Sequence, residues 1–310
     1  MKGLSRLRPA ISLAVTAALT VALTIAPAQS FAATAQASFA SPEAAMNAFG
    51  NAVAGNNEAK LKKLFGADFR KLLPPVGAQI RETFLAQWQK SHAIQAAGEN
   101  RARIAVGDDG WTFPIPIVKN AEGWHFDMAA GAREMQVRRI GRNELAVIQT
   151  MLAVYDAQRE YASSYHDGSD MYVYARRLAS TPGKHDGLYW PTGENEEPSP
   201  LGEAFVTAVK RGESTNGYYG YHYKLLTAQG PHAPGGAYDY LVRGQLFGGF
   251  AVVAWPVKYG DTGIKSFMVS HAGQVFERDL GPDGAAKAEA MKSFDPGPGW
   301  AKVQDTQVAP

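Results

Sequence analysis

Apolar and polar positions change period several times along the chain, and each change predicts a different kind of element. From Ser41 the spacing is helical. Ser41 reads as an N-cap, Pro42 as the first helical residue, and Ala45, Phe49, Ala52 and Val53 recur behind them. Gly55-Asn-Asn57 stops that helix. A second, short one carries Leu61, Leu64 and Phe65 and ends at Gly66. Pro74-Pro75 breaks the chain before a third helix over 79–93, with Ile80, Phe84, Leu85 and Trp88 on one face. Alternation then takes over. Arg101 to Val106 predicts a strand with Ile104 and Val106 inside. Trp111 to Val118 is β-rich, but Pro114 and Pro116 confine it to an edge or a bulge. Asn120-Ala-Glu-Gly123 is a turn, and Trp124-His-Phe126 starts the returning strand.

Residues 132–163 form the longest predicted helix. Val137, Ile140, Leu145, Ile148, Leu152 and Tyr155 keep its period, while Arg138, Arg139, Arg142, Arg159 and Glu160 suit the wet side. Residues 164–200 are rich in Gly, Pro, Asp, Glu, Ser and Asn and read as a long surface excursion. Ser199-Pro-Leu-Gly-Glu203 starts another short helix, to about Lys210. Strands follow at Tyr219 to Leu226, Phe250 to Trp255, Ser266 to Ser270 and Gln274 to Glu277. Turns at 259–263 and 271–273 give the last three an antiparallel meander. From Pro282 the chain is polar, with a short helix near 285–292 and a mobile tail after Pro296. The fold class is α+β. Residues 33–40 are a disordered leader and 41–131 a small helix-plus-meander, cone-like domain. Residues 132–281 supply a long linking helix and an antiparallel sheet, with the loop 164–200 inside that span. Residues 282–310 are a polar tail.

The beginning of the chain changes the picture of where this protein works. Lys2, Arg6 and Arg8 precede an apolar run from Ile11 to Ala26, Pro27 breaks it, and Ser30-Phe-Ala32 offers small residues two apart. Residues 1–32 thus read as a signal peptide cleaved after Ala32, and the protein as periplasmic or secreted. A membrane-spanning helix needs about 20 apolar residues, so the run is short for an anchor. Without the three basic residues of the leader, the formal charge of +2 becomes about −1. Nothing then points to nucleic acid, whose binders carry a basic patch. The chain has no cysteine, which excludes disulfides, thiolate metal sites and a cysteine nucleophile.

Candidate chemistry is thin. His166, Asp167 and Asp170 could form a proton-transfer or metal-binding group. A polar turn closing the long helix explains the same residues and is preferred. Glu194, Glu196 and Glu197 are calcium candidates, against the favoured reading as a solvated acidic loop, since no EF-hand pattern is present. No other cofactor is expected. Gly230 to Gly236 lacks the ending of a phosphate loop and reads as a hairpin loop. The seven histidines show no ligand spacing. Tyr219, Tyr221 and Tyr223 share one face of a strand and could stack on a sugar, a peptide or a partner, although a half-buried sheet pair is the commoner use. Tyr189 and Trp190, in the long loop, are further binding candidates as a lid or a contact site.

Three resemblances rest on longer stretches. Ser41-Pro-Glu-Ala-Ala45, Arg139-Ile-Gly-Arg-Asn-Glu-Leu145, Tyr155-Asp-Ala-Gln-Arg-Glu-Tyr161, Tyr223 to Gly230 and Gly249 to Pro256 resemble a family of secreted bacterial proteins, domain of unknown function 2950. That family brings no activity and no site residues. Residues 143–281, with Asn143-Glu-Leu-Ala146 and Tyr155-Asp-Ala-Gln158 on the helix, are similar to the globular head of type IV pilins and pseudopilins. Pilin helices begin at the N-terminus, whereas about 100 residues precede this one. The N-terminal helices and Gly-Trp-His-Phe hairpin resemble cone-shaped domains of the nuclear-transport-factor-two kind. Together these imply a non-catalytic interaction or envelope-associated accessory protein, its partner another envelope protein. Two alternatives stay open. One is a hydrolase with a site between the halves using His166 and a nearby Asp. The other is a carrier of a small apolar ligand in a cone lined by Phe84, Trp88, Trp111 and Trp124.

Overall fold

Ser41 caps the first helix as its sequence dictates: its Oγ accepts a hydrogen bond from the Ala44 N–H at 3.2 Å, and α1 runs Pro42–Ala54. The computed structural model describes residues 36–166, 170–193, 198–203, 205 and 217–304. Residues 1–32, with the expected leader and its cleavage point after Ala32, lie outside the described residues, as do Asp167, Glu194, Glu196, Glu197 and most of the helix expected over 199–210. Asn57 caps α2 (Glu58–Phe65) by accepting from the Lys60 N–H at 2.9 Å. A single 3-10 turn, Phe69–Lys71, leads through the two prolines to α3 (Ala78–Lys90), which starts at Gly77 without a side-chain cap.

Four antiparallel strands follow in the order of the chain: β1 (His92–Ala96), β2 (Arg101–Val106), β3 (Ile117–Asn120) and β4 (Gly123–Phe126). The third helix is shorter than its sequence predicts, because the chain turns into β1 at His92. That edge strand was illegible: only Ile94 of its five residues is even half-buried, so no alternation marks it. Pro114 and Pro116 act as expected, leaving 113–116 irregular before β3, while Phe113 still donates its N–H to the Ile104 carbonyl at 2.8 Å. The inner faces of α1, α2 and the meander close on Ala45, Phe49, Leu64, Phe65, Ile104, Ile117 and Phe126. α3 contributes no fully buried residue, and on its apolar face Ile80 is 62% exposed.

Gly50 of α1 faces the Trp88 ring of α3 closely. A Cβ there would lie 2.5 Å from the Trp88 ring. Gly50→Ala is expected to cost about 1–3 kcal/mol through overpacking, against a helix-propensity gain of about 1 kcal/mol. A urea titration checks this, and a more stable variant would contradict the packing.

Asp127 caps α4 (Met128–Tyr161) through the Ala130 N–H at 2.9 Å. The buried stripe is Val147, Met151, Val154, Gln158 and Tyr161, flanked by Ile148 and Ala157. Val137 and Leu145, expected inside, are exposed. At 3.6 residues per turn Leu145 lies on the side opposite Val147 and Met151. The first half of α4 touches the N-terminal half near Gly131, against Ile115, and through Arg138, which hydrogen-bonds the Thr112 carbonyl at 2.6 Å and its hydroxyl at 2.8 Å. The second half packs on a sheet. No helix among the described residues is long and apolar enough to cross a membrane.

The strands of the second half are β5 (Tyr221–Leu226), β6 (Ala228–Gln229), β7 (Tyr238–Asp239), β8 (Leu241–Val242), β9 (Gln245–Leu246), β10 (Ala251–Pro256), β11 (Lys265–Ser270) and β12 (Val275–Asp279). After α5 (Gly284–Ala290) come β13 (Ser293–Phe294) and β14 (Ala301–Lys302). The main sheet is antiparallel with order β14-β12-β11-β10-β5. Every residue of β10 is buried, since α4 covers one sheet face and the 228–250 segment with α5 covers the other. A continuous apolar run is what a strand covered on both faces requires. The molecule is thus an α+β protein.

Two expectations fail here for one reason, that polar composition hides a few anchoring residues. The 164–200 segment does not simply run over the surface. Gln158 is fully buried, donates to the Ala175 carbonyl at 3.0 Å and accepts from the Ala175 N–H at 2.9 Å. Ala175, Leu178, Leu188 and Trp190 follow into the core beneath. Residues 301–303 are likewise held: β14 pairs with β12, and Val303 is buried with its N–H on the Val275 carbonyl.

Candidate functional site

The N-terminal half forms a half-open cavity of about 550 Å³. α1 presents Phe49 and Val53 to it, α2 presents Leu61 and Phe65, and the turn that follows presents Phe69. Phe84 from α3 and Phe113 after β2 complete the aromatic wall. Phe49 sits at its centre, 4.6 Å from Phe113, 5.8 Å from Phe65 and 5.9 Å from Phe84, measured between ring centroids. The mouth is unusually apolar: Val76, Ile80 and Trp111 are 53%, 62% and 42% exposed. A second cavity, about 430 Å³, lies on the other side of Ile80, Phe84 and Trp111.

The rim is stiffened by one ion pair. Arg70 Nε donates to Glu58 Oε1 at 2.9 Å, Nη2 donates to Oε2, and Nη1 donates to the Leu73 carbonyl at 3.0 Å. This ties the start of α2 to the Phe69–Leu73 turn. The Arg70 hydrogen bond holds the Glu58 carboxyl below the usual carboxylate range. Arg81 also lines the cavity. Among the described residues the lining contains no serine, threonine, tyrosine, histidine, lysine or cysteine. It can enclose an apolar molecule, but it offers no nucleophile, and its one carboxylate is already paired.

Of the four aromatics expected to line the cone, Phe84 and Trp111 do so. Trp88 instead backs onto α1 and stacks on His92 at 4.4 Å, and Trp124 sits under Lys119 at the end of the meander. Val53, Leu61 and Arg81 were missed. Their signal was present in the amphipathic helices, but nothing in a sequence says that an apolar face meets a void.

The other predicted site residues do not converge. The His166 ring stacks on Tyr161 at 3.8 Å and its Nε2 lies 2.8 Å from the Tyr161 carbonyl, so it is engaged with the end of α4. Asp170 is exposed, and Asp167 is outside the described residues. Tyr219 precedes β5 at a φ of 49° and is exposed, whereas Tyr221 and Tyr223 are core residues. The expected shared, open face is therefore absent. Tyr221 donates its hydroxyl to the Lys265 carbonyl at 2.9 Å, and burial pushes both phenols far above their ordinary range. Trp190 is buried and stacks on His185 at 4.2 Å, which removes it from any open contact surface; Tyr189 is half-buried beside it. Among the described residues no three of His, Asp and Glu gather as a metal site; the calcium candidates Glu194, Glu196 and Glu197 fall outside them.

Two histidines of the second half carry a pH dependence. Burial lowers the proton affinity of His222, with Glu289 opposing, and of His271, whose Nε2 is 3.4 Å from the Tyr238 hydroxyl. As pH falls below the ordinary histidine value, about 6.5, the unfolded chain takes up protons before the folded one does. Stability is therefore full above that value and declines below it. Thermal melts at about pH 7.5 and about pH 5 are expected to show this loss, and His271→Gln to reduce it. An unchanged difference in the variant would exclude His271 as its source.

The chain belongs to the family described as Protein of unknown function (DUF2950), whose model matches residues 36–303. No curated protein and no solved structure matches it, so the likeness to a pilin head has no support from a known structure.

Proposed function

We propose that this DUF2950 member is an exported, non-catalytic protein that binds a small apolar molecule in its N-terminal cone. The observation that carries this reading is the cavity of about 550 Å³, walled by Phe49, Phe65, Phe69, Phe84 and Phe113 and open between Val76, Ile80 and Trp111. Its size falls within the roughly 300–1,000 Å³ of small-molecule sites, and such sites are mostly apolar with few polar groups. An inert lining suits carriage or sensing, since the bound molecule meets no group able to attack it. The basic residues and apolar run of 1–32 support export, which would place this binding in the periplasm or beyond. The hydrolase reading draws less support, because His166 is held by the Tyr161 carbonyl rather than aimed at an open site.

Delipidated protein titrated with a neutral naphthylamine probe tests the reading. We expect saturation at one site and energy transfer from tryptophan, since Trp111 stands at the mouth. A signal that rises without saturating would count against a defined site.

A further inference from the structure

We propose that the cavity selects amphiphiles whose head is a single carboxylate, which Arg81 receives at the mouth; this rests on reading the cavity as a ligand site. Two guanidinium groups line the cavity. Arg70 is engaged through all three of its nitrogens, with Nε and Nη2 on Glu58 and Nη1 on the Leu73 carbonyl, and its charge is paired. Arg81 has no hydrogen bond or ion pair to its side chain among the described residues, and it is half-buried. Among the described residues the only carboxylate of the lining, Glu58, already answers Arg70. The cavity therefore carries one unbalanced positive charge beside a wall of carbon.

That arrangement has a chemical complement. The apolar wall takes a hydrocarbon, and the planar fork of a guanidinium matches the two oxygens of a carboxylate. One free guanidinium balances one negative charge, which favours a monocarboxylate over a dianionic phosphate. A neutral head leaves Arg81 without a partner, and a cationic head is repelled by it. The position of Arg81 matters as well. It is half-buried rather than sealed in, and it shares the lining with the exposed Ile80, so a tail can fill the aromatic interior while the head stays near water.

Delipidated full-length protein is titrated calorimetrically with decanoate, decanol and decylamine at neutral pH and low salt. A charge-assisted pair contributes about 1.5 kcal/mol or more, so decanoate should bind about tenfold more tightly than decanol, with decylamine weakest. Arg81→Gln should remove the preference for the acid and leave decanol affinity unchanged. Arg81→Lys, which keeps charge but loses the fork, should restore part of it. Melting curves should be close for all three proteins, because the Arg81 side chain makes no hydrogen bond or ion pair among the described residues. Equal binding of acid and alcohol to the wild type, or an acid preference that survives Arg81→Gln, overturns the proposal. Failure of all three compounds to bind overturns the ligand-site reading beneath it, a different and distinguishable result.

Discussion

Replacing Phe49 by alanine is expected to unfold the N-terminal half under conditions where the wild type is intact. Five aromatic rings surround this one side chain: Phe113, Phe65, Trp88, Phe84 and Phe126, at centroid separations from 4.6 to 6.0 Å. It is 4% exposed. They come from α2, α3, the segment after β2 and β4, so the ring joins every layer of the half. Phe→Ala in a core costs about 3–5 kcal/mol, and whole domains are stable by only about 5–15 kcal/mol. The space left would also merge with the cavity beside it, so little collapse can repay the loss. Urea unfolding followed by tryptophan fluorescence reads the effect through Trp88 and Trp111. A loss under about 1 kcal/mol would mean that Phe49 is not the keystone described.

The second large effect concerns binding. Leu61→Trp is expected to weaken occupation of the cavity roughly 50-fold while the fold persists. Leu61 is a half-buried residue of α2 whose side chain lines the cavity, so an indole there grows into empty space and displaces no neighbour. Each methylene of a ligand that can no longer be buried costs about 0.8 kcal/mol. Losing room for three of them weakens binding roughly 50-fold. Filling a void with carbon leaves stability unchanged or improved. This makes the variant a better probe of function than Phe49→Ala, whose loss of binding would follow from unfolding.

The elements were legible where local chemistry decides them. Ser41 and Asn57 announce their helices by capping, and the turns at 120–123, 259–263 and 271–273 follow from their own residues. Long-range packing was not legible. The stripe of α4 was legible in part: Ile148 is buried and Leu152 and Tyr155 pack against the core, but Val137 and Leu145 are as apolar as Val147 and Met151, and only the sheet beneath chooses among them. The 164–200 segment looked solvated by composition, yet two hydrogen bonds from Gln158 seat it in the core. Tyr221 and Tyr223 alternate as expected, but both of their neighbours above, α4 and the Leu188–Trp190 segment, are far away in sequence. The candidate site was half legible: Phe84 and Trp111 were expected to line it, whereas the void itself is a product of how three helices fail to close over a sheet.

The central claim is that this void is a binding site, and one comparison tests it most directly. Wild type and Leu61→Trp, both delipidated and with matching circular dichroism, are titrated side by side with the neutral naphthylamine probe. The account predicts saturable, single-site binding to the wild type and a loss of roughly 50-fold in the variant. Equal affinity in the two proteins, or no saturable binding to either, would contradict it.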